Sequence, residues 1–198
     1  MFVKICGMTT SAAVAAAVAA GADAVGFVFA PSPRQVSAEQ ALELSAAIPS
    51  GVLRVAVMHH PTAELARHVC ETLSPDWLQT DADDLAGLRL PESCTTLPVY
   101  RNGQVPAGPP YRARLLFEGA QSGAGRTADW SEARALAAHT ELVLAGGLDA
   151  SNVAAAIDMV QPWGVDVSSG VERERGRKDP QMIGEFIARV RALEDHNA

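Results

Sequence analysis

The chain has 198 residues, 48% of them hydrophobic, which is enough to bury one substantial core and short for two independent domains. Acidic and basic residues are interleaved to a net charge of −7 with no basic stripe, which argues against a nucleic-acid partner. No apolar stretch approaches the roughly 20 residues of a membrane span, and Cys6, Cys70 and Cys94 have neither paired nor CxxC spacing, so a soluble protein of the reducing cytoplasm is expected.

Along the chain, short strand-like runs alternate with longer Ala-rich helical segments, the pattern of a parallel sheet built from βα units. The first predicted strand, Phe2–Cys6, puts Lys4 and Cys6 on one face and Val3 and Ile5 on the other, and Gly7 permits a turn just past the sulfur. A thiol in that place is a candidate base or nucleophile, although a free cysteine serves equally as a small buried hydrophobe. Ser11–Ala20 lacks the basic leader of a signal peptide and follows a strand, so it is predicted as the first helix.

Further strands are predicted at Ala24–Phe29, Val52–Val57, Trp77–Gln79, Thr96–Tyr100, Arg114–Glu118, Glu141–Ala145 and Gly164–Val167. The helices between and after them fall at Ala38–Ile48, Thr62–Thr72, Asp83–Leu88, Ser131–His139, Ala150–Met159 and Pro180–Leu193. Ser37 and Gln40 have capping-box spacing for the second helix, and Asp149 is an N-cap candidate for the one after strand seven. Eight strands is the barrel number. Gly- and Pro-rich Asn102–Pro110 is predicted as a loop where the fifth helix would sit. Residues 1–198 are therefore read as a single-domain α/β protein, a (β/α)8 TIM barrel with neither linker nor internal repeat.

Function in such a barrel belongs at the C-terminal ends of the strands, where the loops after strands seven and eight bind phosphate through backbone N–H groups. Gly146-Gly147 and Ser168-Ser169-Gly170 stand in those two loops. Either turn alone reads equally as a tight loop; their joint placement favours a phosphate cradle. His59-His60-Pro61 adjoins strand three, but no further ligand at suitable spacing is apparent, so no metal is expected. Cys70 and Cys94 are read as packing thiols. The Glu172–Lys178 charges are read as a solvated loop from which Arg173 or Arg175 reaches toward a phosphate.

Lys4-Ile5-Cys6-Gly7-Met8-Thr9, Ser32-Pro33-Arg34, Ala145-Gly146-Gly147-Leu148 and Asp166-Val167-Ser168-Ser169-Gly170-Val171-Glu172 occur in order at successive strand ends. Together with Ser122-Gly123-Ala124-Gly125-Arg126-Thr127-Ala128-Asp129-Trp130, they resemble the phosphoribosylanthranilate isomerase family of tryptophan biosynthesis. The resemblance implies an Amadori rearrangement of a phosphosugar–anthranilate substrate, without redox cofactor or metal. It implies Cys6 as general base, with Lys4 either favouring its thiolate or paired with Asp166. Arg34 is implied as the clamp on the anthranilate carboxylate, Gln79 as a substrate contact and Asp166 as a partner for sugar hydroxyls or the amino group.

Two positions depart from the family pattern. Glu118 stands at the end of strand six where the family usually has an Asp acid, and its extra methylene displaces the carboxyl by about 1.5 Å. Strand four reads Gln79-Thr80-Asp81-Ala82 where the family commonly has Gln-Leu-His-Gly, so a role for that histidine does not transfer to Asp81. These departures keep two rivals open: a barrel that also isomerises the histidine-pathway aminoaldose, and a phosphosugar-binding barrel without turnover. Oligomeric state is not readable from the sequence.

Overall fold

A computed structural model of the protein describes residues 1–105, 113–119 and 128–194. Eight strands pair in parallel and in chain order into a closed barrel: β1 (Phe2–Cys6), β2 (Ala24–Val28), β3 (Leu53–Val57), β4 (Trp77–Asp81), β5 (Thr95–Arg101), β6 (Arg114–Glu118), β7 (Glu141–Leu144) and β8 (Gly164–Val167). The ring closes where Lys4 of β1 registers against Asp166 of β8. Helices α1 (Ser11–Ala20), α2 (Ala38–Ser45), α3 (Ala63–Leu73), α4 (Trp130–Ala137), α5 (Val153–Val160) and α6 (Pro180–Glu194) connect or follow the strands.

Strand alternation builds two cores. Val3 and Ile5 of β1 and Leu115 and Phe117 of β6 face the helices and pack with Val14, Val69 and Phe186. Their neighbours point inward, where Val55, Trp77, Leu97, Leu116 and Val143 fill the barrel. At the N-terminal end, Phe2 stacks between Trp77 and Trp163 at centroid distances of 5.2 and 4.7 Å, and the Arg114 guanidinium lies 4.0 Å over Trp163. This plug closes the floor and leaves the opposite end for chemistry.

The capping box forms: Gln40 N donates to Ser37 Oγ at 3.1 Å, and Ser37 N donates to Gln40 Oε1 at 2.9 Å. Asp149, by contrast, is not the N-cap of α5. That position is Asn152, and Asp149 accepts from Ser151 N and Asn152 N to tie down the turn before it. The helix predicted at Asp83–Leu88 is a 3₁₀ helix, Ala82–Gly87. Six residues ending in glycine are too few to sustain α-helix, and Asp84 is drawn back to accept from Thr80 Oγ1 and from the backbone N–H of His60.

The predicted loop in place of a fifth helix lies partly outside the described residues, and residues 102–105, which are described, carry no helix. Residues 122–127 of the Gly-rich motif also lie outside them. After β8 the chain makes a 3₁₀ turn, Ser169–Val171, then a small antiparallel hairpin of β9 (Glu172–Glu174) and β10 (Arg177–Lys178). No described helix is long and apolar enough to cross a membrane.

Candidate active site

The C-terminal ends of the strands surround a cavity of about 620 Å³, a size suited to one small molecule. Cys6, Arg34, Gln79, Glu118, Gly146, Gly147, Asp166 and Ser169, predicted from separate stretches of sequence, all line it. Asp81, Arg101, His59 and Ser168 line it as well.

Cys6 is buried at the end of β1, beside Lys4. Lys4 is wholly buried and its Nζ donates to Asp166 Oδ1 at 2.7 Å. Burial pushes the Cys6 thiol up; Lys4 pulls it down, Asp166 pushes it up again, and Lys178 pulls it down, with the balance above the ordinary thiol value. Burial opposes the Lys4 ammonium, but Asp166 and Cys6 outweigh it and hold Lys4 above its usual value. The two readings of Lys4 are thus one arrangement, in which an ion-paired cation also favours the neighbouring thiolate.

Arg34 is buried, and Glu172 takes the Nε–Nη2 edge of its guanidinium, at 2.6 and 2.8 Å. The Nε edge of the fork assigned by resemblance to a substrate carboxylate is therefore already filled by the protein, which leaves Nη1 and the second Nη2 hydrogen as donors. Glu172 also accepts from Lys178 Nζ at 2.7 Å and Gly176 N at 3.0 Å, which together with Arg34 outweigh burial and hold its pKa down to about 2. Lys178 donates further to Ser168 O and Oγ at 2.9 and 3.1 Å.

The solvated-loop reading of Glu172–Lys178 is accordingly corrected. Its two ends are an internal ion cluster that fixes the loop after β8, whereas Arg173 and Arg175 are exposed and do not line the cavity. Charge composition alone does not distinguish these cases, because the hairpin folds its end residues inward.

Gly146 and Gly147 both have positive φ, 88° and 64°, which lets the loop after β7 turn its backbone toward the cavity. Gly170 does not itself line the cavity. A Cβ there would stand 2.0 Å from Leu148 O, so its role is to let the loops after β7 and β8 pack against each other.

On the far wall, Arg101 of β5 bridges two carboxylates. Its Nη1 donates to Asp81 Oδ1, and its Nη2 lies 3.0 Å from Glu118 Oε1. The two departures from the family pattern are thereby joined through one guanidinium. Sequence reasoning misses Arg101 because nothing near it in the chain marks it; only the β4–β5–β6 pairing brings the three together. Asp81 Oδ2 also lies 3.6 Å from Nε2 of both His59 and His60. That supplies the third donor that the sequence spacing concealed. Gln79 is buried and its Oε1 has no hydrogen-bond partner among the described residues, an acceptor left for a ligand to satisfy. Cys70 and Cys94 are buried in the outer core and do not line the cavity, as expected of packing thiols.

The chain is similar to known proteins over nearly its whole length. The family model described as "N-(5'phosphoribosyl)anthranilate (PRA) isomerase" matches residues 3–189. An N-(5'-phosphoribosyl)anthranilate isomerase of Streptococcus pneumoniae (strain Hungary19A-6) is 41% identical over 192 residues, spanning 96% of this chain and 95% of its own. One from Halobacterium salinarum (strain ATCC 29341 / DSM 671 / R1) is 42% identical over 213 residues, spanning 98% and 97%. The crystal structure of phosphoribosyl anthranilate isomerase from Thermotoga maritima superposes with a TM-score of 0.81 at 30% identity, covering 98% of this chain and all of that one. Another solved isomerase, in complex with reduced 1-(o-carboxyphenylamino)-1-deoxyribulose 5-phosphate, gives a TM-score of 0.80 at 30% identity, with the same coverage.

Proposed function

The chain belongs to the N-(5'-phosphoribosyl)anthranilate isomerase family, and on that premise we propose that Cys6 and Glu118 are the base and acid of its reaction. The activity is the Amadori rearrangement of N-(5'-phosphoribosyl)anthranilate to 1-(2-carboxyphenylamino)-1-deoxyribulose 5-phosphate in tryptophan biosynthesis. The observation that carries the assignment is that a strand-end thiol and a strand-end carboxyl line one cavity together with the turns after β7 and β8.

Glu118 donates a proton to the furanose oxygen as the C1'–O bond breaks, and the nitrogen lone pair forms the C1'=N bond. Cys6 as thiolate then removes the C2' proton, and that electron pair flows to give the enolamine. Protonation at C1' and loss of the 2'-hydroxyl proton give the ketone. The Lys4 and Lys178 charges favour the thiolate, while burial keeps it scarce and strongly basic.

The phosphate sits against Gly146, Gly147 and Ser169, with Gly170 holding the two loops together. Arg34 meets the anthranilate carboxylate through Nη1, Gln79 Oε1 accepts from the substrate, and the second Asp166 oxygen takes a sugar hydroxyl. The three free cysteines fit a cytoplasmic enzyme.

The test follows the loss of fluorescence of freshly generated phosphoribosylanthranilate with wild type, Cys6→Ala and Glu118→Gln, beside a parallel assay of the histidine-pathway aminoaldose. Turnover of the first substrate alone, abolished by Cys6→Ala, is expected. Product-analogue binding without turnover in wild type would instead identify the binding-only barrel, and turnover of both substrates the dual-function one.

A further inference from the structure

His59 and His60 follow β3, and Asp81 ends the adjacent β4, so sheet pairing brings together donors that lie 21 residues or more apart in the chain. One donor atom from each lies within 4.8 Å of the others, and both His Nε2 atoms stand 3.6 Å from Asp81 Oδ2. Bonds of about 2.1 Å in a tetrahedron set donor atoms about 3.4 Å apart. Each imidazole already stands close to that spacing from Asp81, so closing this group onto one ion needs small shifts.

The surroundings also orient the group. His60 has a left-handed backbone, φ 47°, and its Nδ1 lies 2.9 Å from Asp84 Oδ1 while its N–H donates to Asp84 Oδ2. Asp84 is itself held by Thr80 Oγ1 at 2.7 Å. With Nδ1 engaged by a carboxylate, Nε2 of His60 is left as the metal-facing nitrogen, the outer-shell arrangement that fixes tautomer and direction in metal sites. Asp81 is anchored from the other side through Oδ1 by Arg101, which leaves Oδ2 for one coordinate bond.

We propose that His59 Nε2, His60 Nε2 and Asp81 Oδ2 form a site for one divalent ion of the zinc class at the mouth of the cavity, with a fourth position open to water. Two imidazoles and a carboxylate suit Zn²⁺ and neighbouring first-row ions, and are a poor match for Mg²⁺ or Ca²⁺, which take oxygen ligands. The rearrangement itself asks for no metal. The site's consequence is control: an ion on Asp81 sits beside the Arg101 bridge to Glu118 and at the cavity rim, so occupancy slows turnover.

The experiment treats the purified full chain with EDTA, removes the chelator, and measures Zn²⁺ uptake by equilibrium dialysis and Co²⁺ uptake by visible absorption. One ion per chain is expected, with d–d bands and no sulfur-to-cobalt charge-transfer band. His60→Asn, which suits the left-handed backbone, and Asp84→Asn are expected to lower affinity about 10-fold or more. Both lie outside the proposed catalytic machinery, so their metal-free turnover should match wild type while their sensitivity to Zn²⁺ falls. Mg²⁺ at the same concentrations should neither bind nor slow the enzyme. Absent uptake, uptake unchanged in His60→Asn, or a charge-transfer band that disappears in Cys6→Ser would overturn the site. Binding with undiminished turnover would overturn its control of catalysis. Metal uptake is read independently of activity, so loss of the isomerase assignment and loss of this one are told apart.

Discussion

Lys4 of β1 and Asp166 of β8 are register partners across the strand pair that closes the barrel, and Lys4 Nζ donates to Asp166 Oδ1 at 2.7 Å with the ammonium wholly buried. The ion pair serves stability and chemistry at once. A buried ammonium without its partner is destabilising by about 3–5 kcal/mol, far more than the pair contributes relative to apolar replacements. Asp166→Asn should therefore lower the unfolding free energy, read from the urea midpoint, by an amount in that range, whereas Lys4→Met combined with Asp166→Leu should recover most of the loss. A single variant as stable as wild type would show that water enters and solvates Lys4.

The raised Cys6 thiol makes a prediction about pH. A base with its pKa above the ordinary value of about 8.5 is mostly protonated at neutrality, so kcat/KM should climb with pH through and beyond that value. Lys4→Met removes the larger of the two charges that favour the thiolate and should move the rise to higher pH. Iodoacetamide inactivation should follow the same curve and be slowed by a product analogue, with Cys70→Ser and Cys94→Ser unchanged. A rate already level at pH 7 in wild type would remove Cys6 from the role of base.

Glu172 supplies an acid-stability prediction. Its folded pKa of about 2 lies below its ordinary 4.5, so its contribution is fully present above pH 4.5 and is lost as pH falls toward 2. The shift corresponds to roughly 3 kcal/mol at most. Glu172→Gln should lose about that much at pH 7 and show a shallower fall in stability between pH 5 and 2. Stability curves that run parallel for the two proteins would mean that Arg34 and Lys178 do not depress Glu172 relative to the unfolded chain.

Arg34 should act mainly on KM. With its Nε edge on Glu172 and Nη1 proposed to meet the substrate, Arg34→Lys is expected to raise KM for the substrate by about 10-fold, the scale of one charge-assisted hydrogen bond, with a smaller change in kcat. Inorganic phosphate inhibition should be little altered. An equal loss of phosphate affinity would place Arg34 in the phosphate cradle instead.

The barrel is legible in the sequence because its strand-like apolar runs are short, bounded by turns and repeated between helical segments. Phe2–Cys6 and Arg114–Glu118 are buried at successive positions, the two-faced burial of a parallel barrel strand, and read in the sequence as compact, mostly apolar runs. The cavity lining is legible too, since strand ends converge in this fold whatever the intervening sequence. What escapes are partnerships made by register and hairpin folding. Arg101 joins Asp81 to Glu118 only because β5 lies between β4 and β6, and Glu172 and Lys178 turn inward only because β9 and β10 pair. Asp81 likewise completes a His pair that follows the neighbouring strand, a relation no spacing along one segment could reveal.

The Arg101 bridge decides the question that Glu118 raises. Glu118→Gln keeps size but cannot donate the proton, and should lower kcat by about 10²-fold or more. Glu118→Asp restores the residue usual in the family while drawing the carboxyl back by about 1.5 Å. Arg101 is anchored at its other end by Asp81 and cannot follow freely, so the 3.0 Å contact should open and the acid should lose its position. Asp is therefore expected to be worse than Glu, with kcat falling about 10-fold to 100-fold, since a displacement of about 1 Å is enough for losses of that size. Arg101→Met removes the anchor from either carboxyl, so in a double-mutant cycle the penalty of Glu118→Asp should shrink in the Arg101→Met background. A Glu118→Asp enzyme faster than wild type would show that the backbone has not adapted to the longer side chain, and robust turnover in Glu118→Gln would send the search for the acid to Asp81 or Asp166.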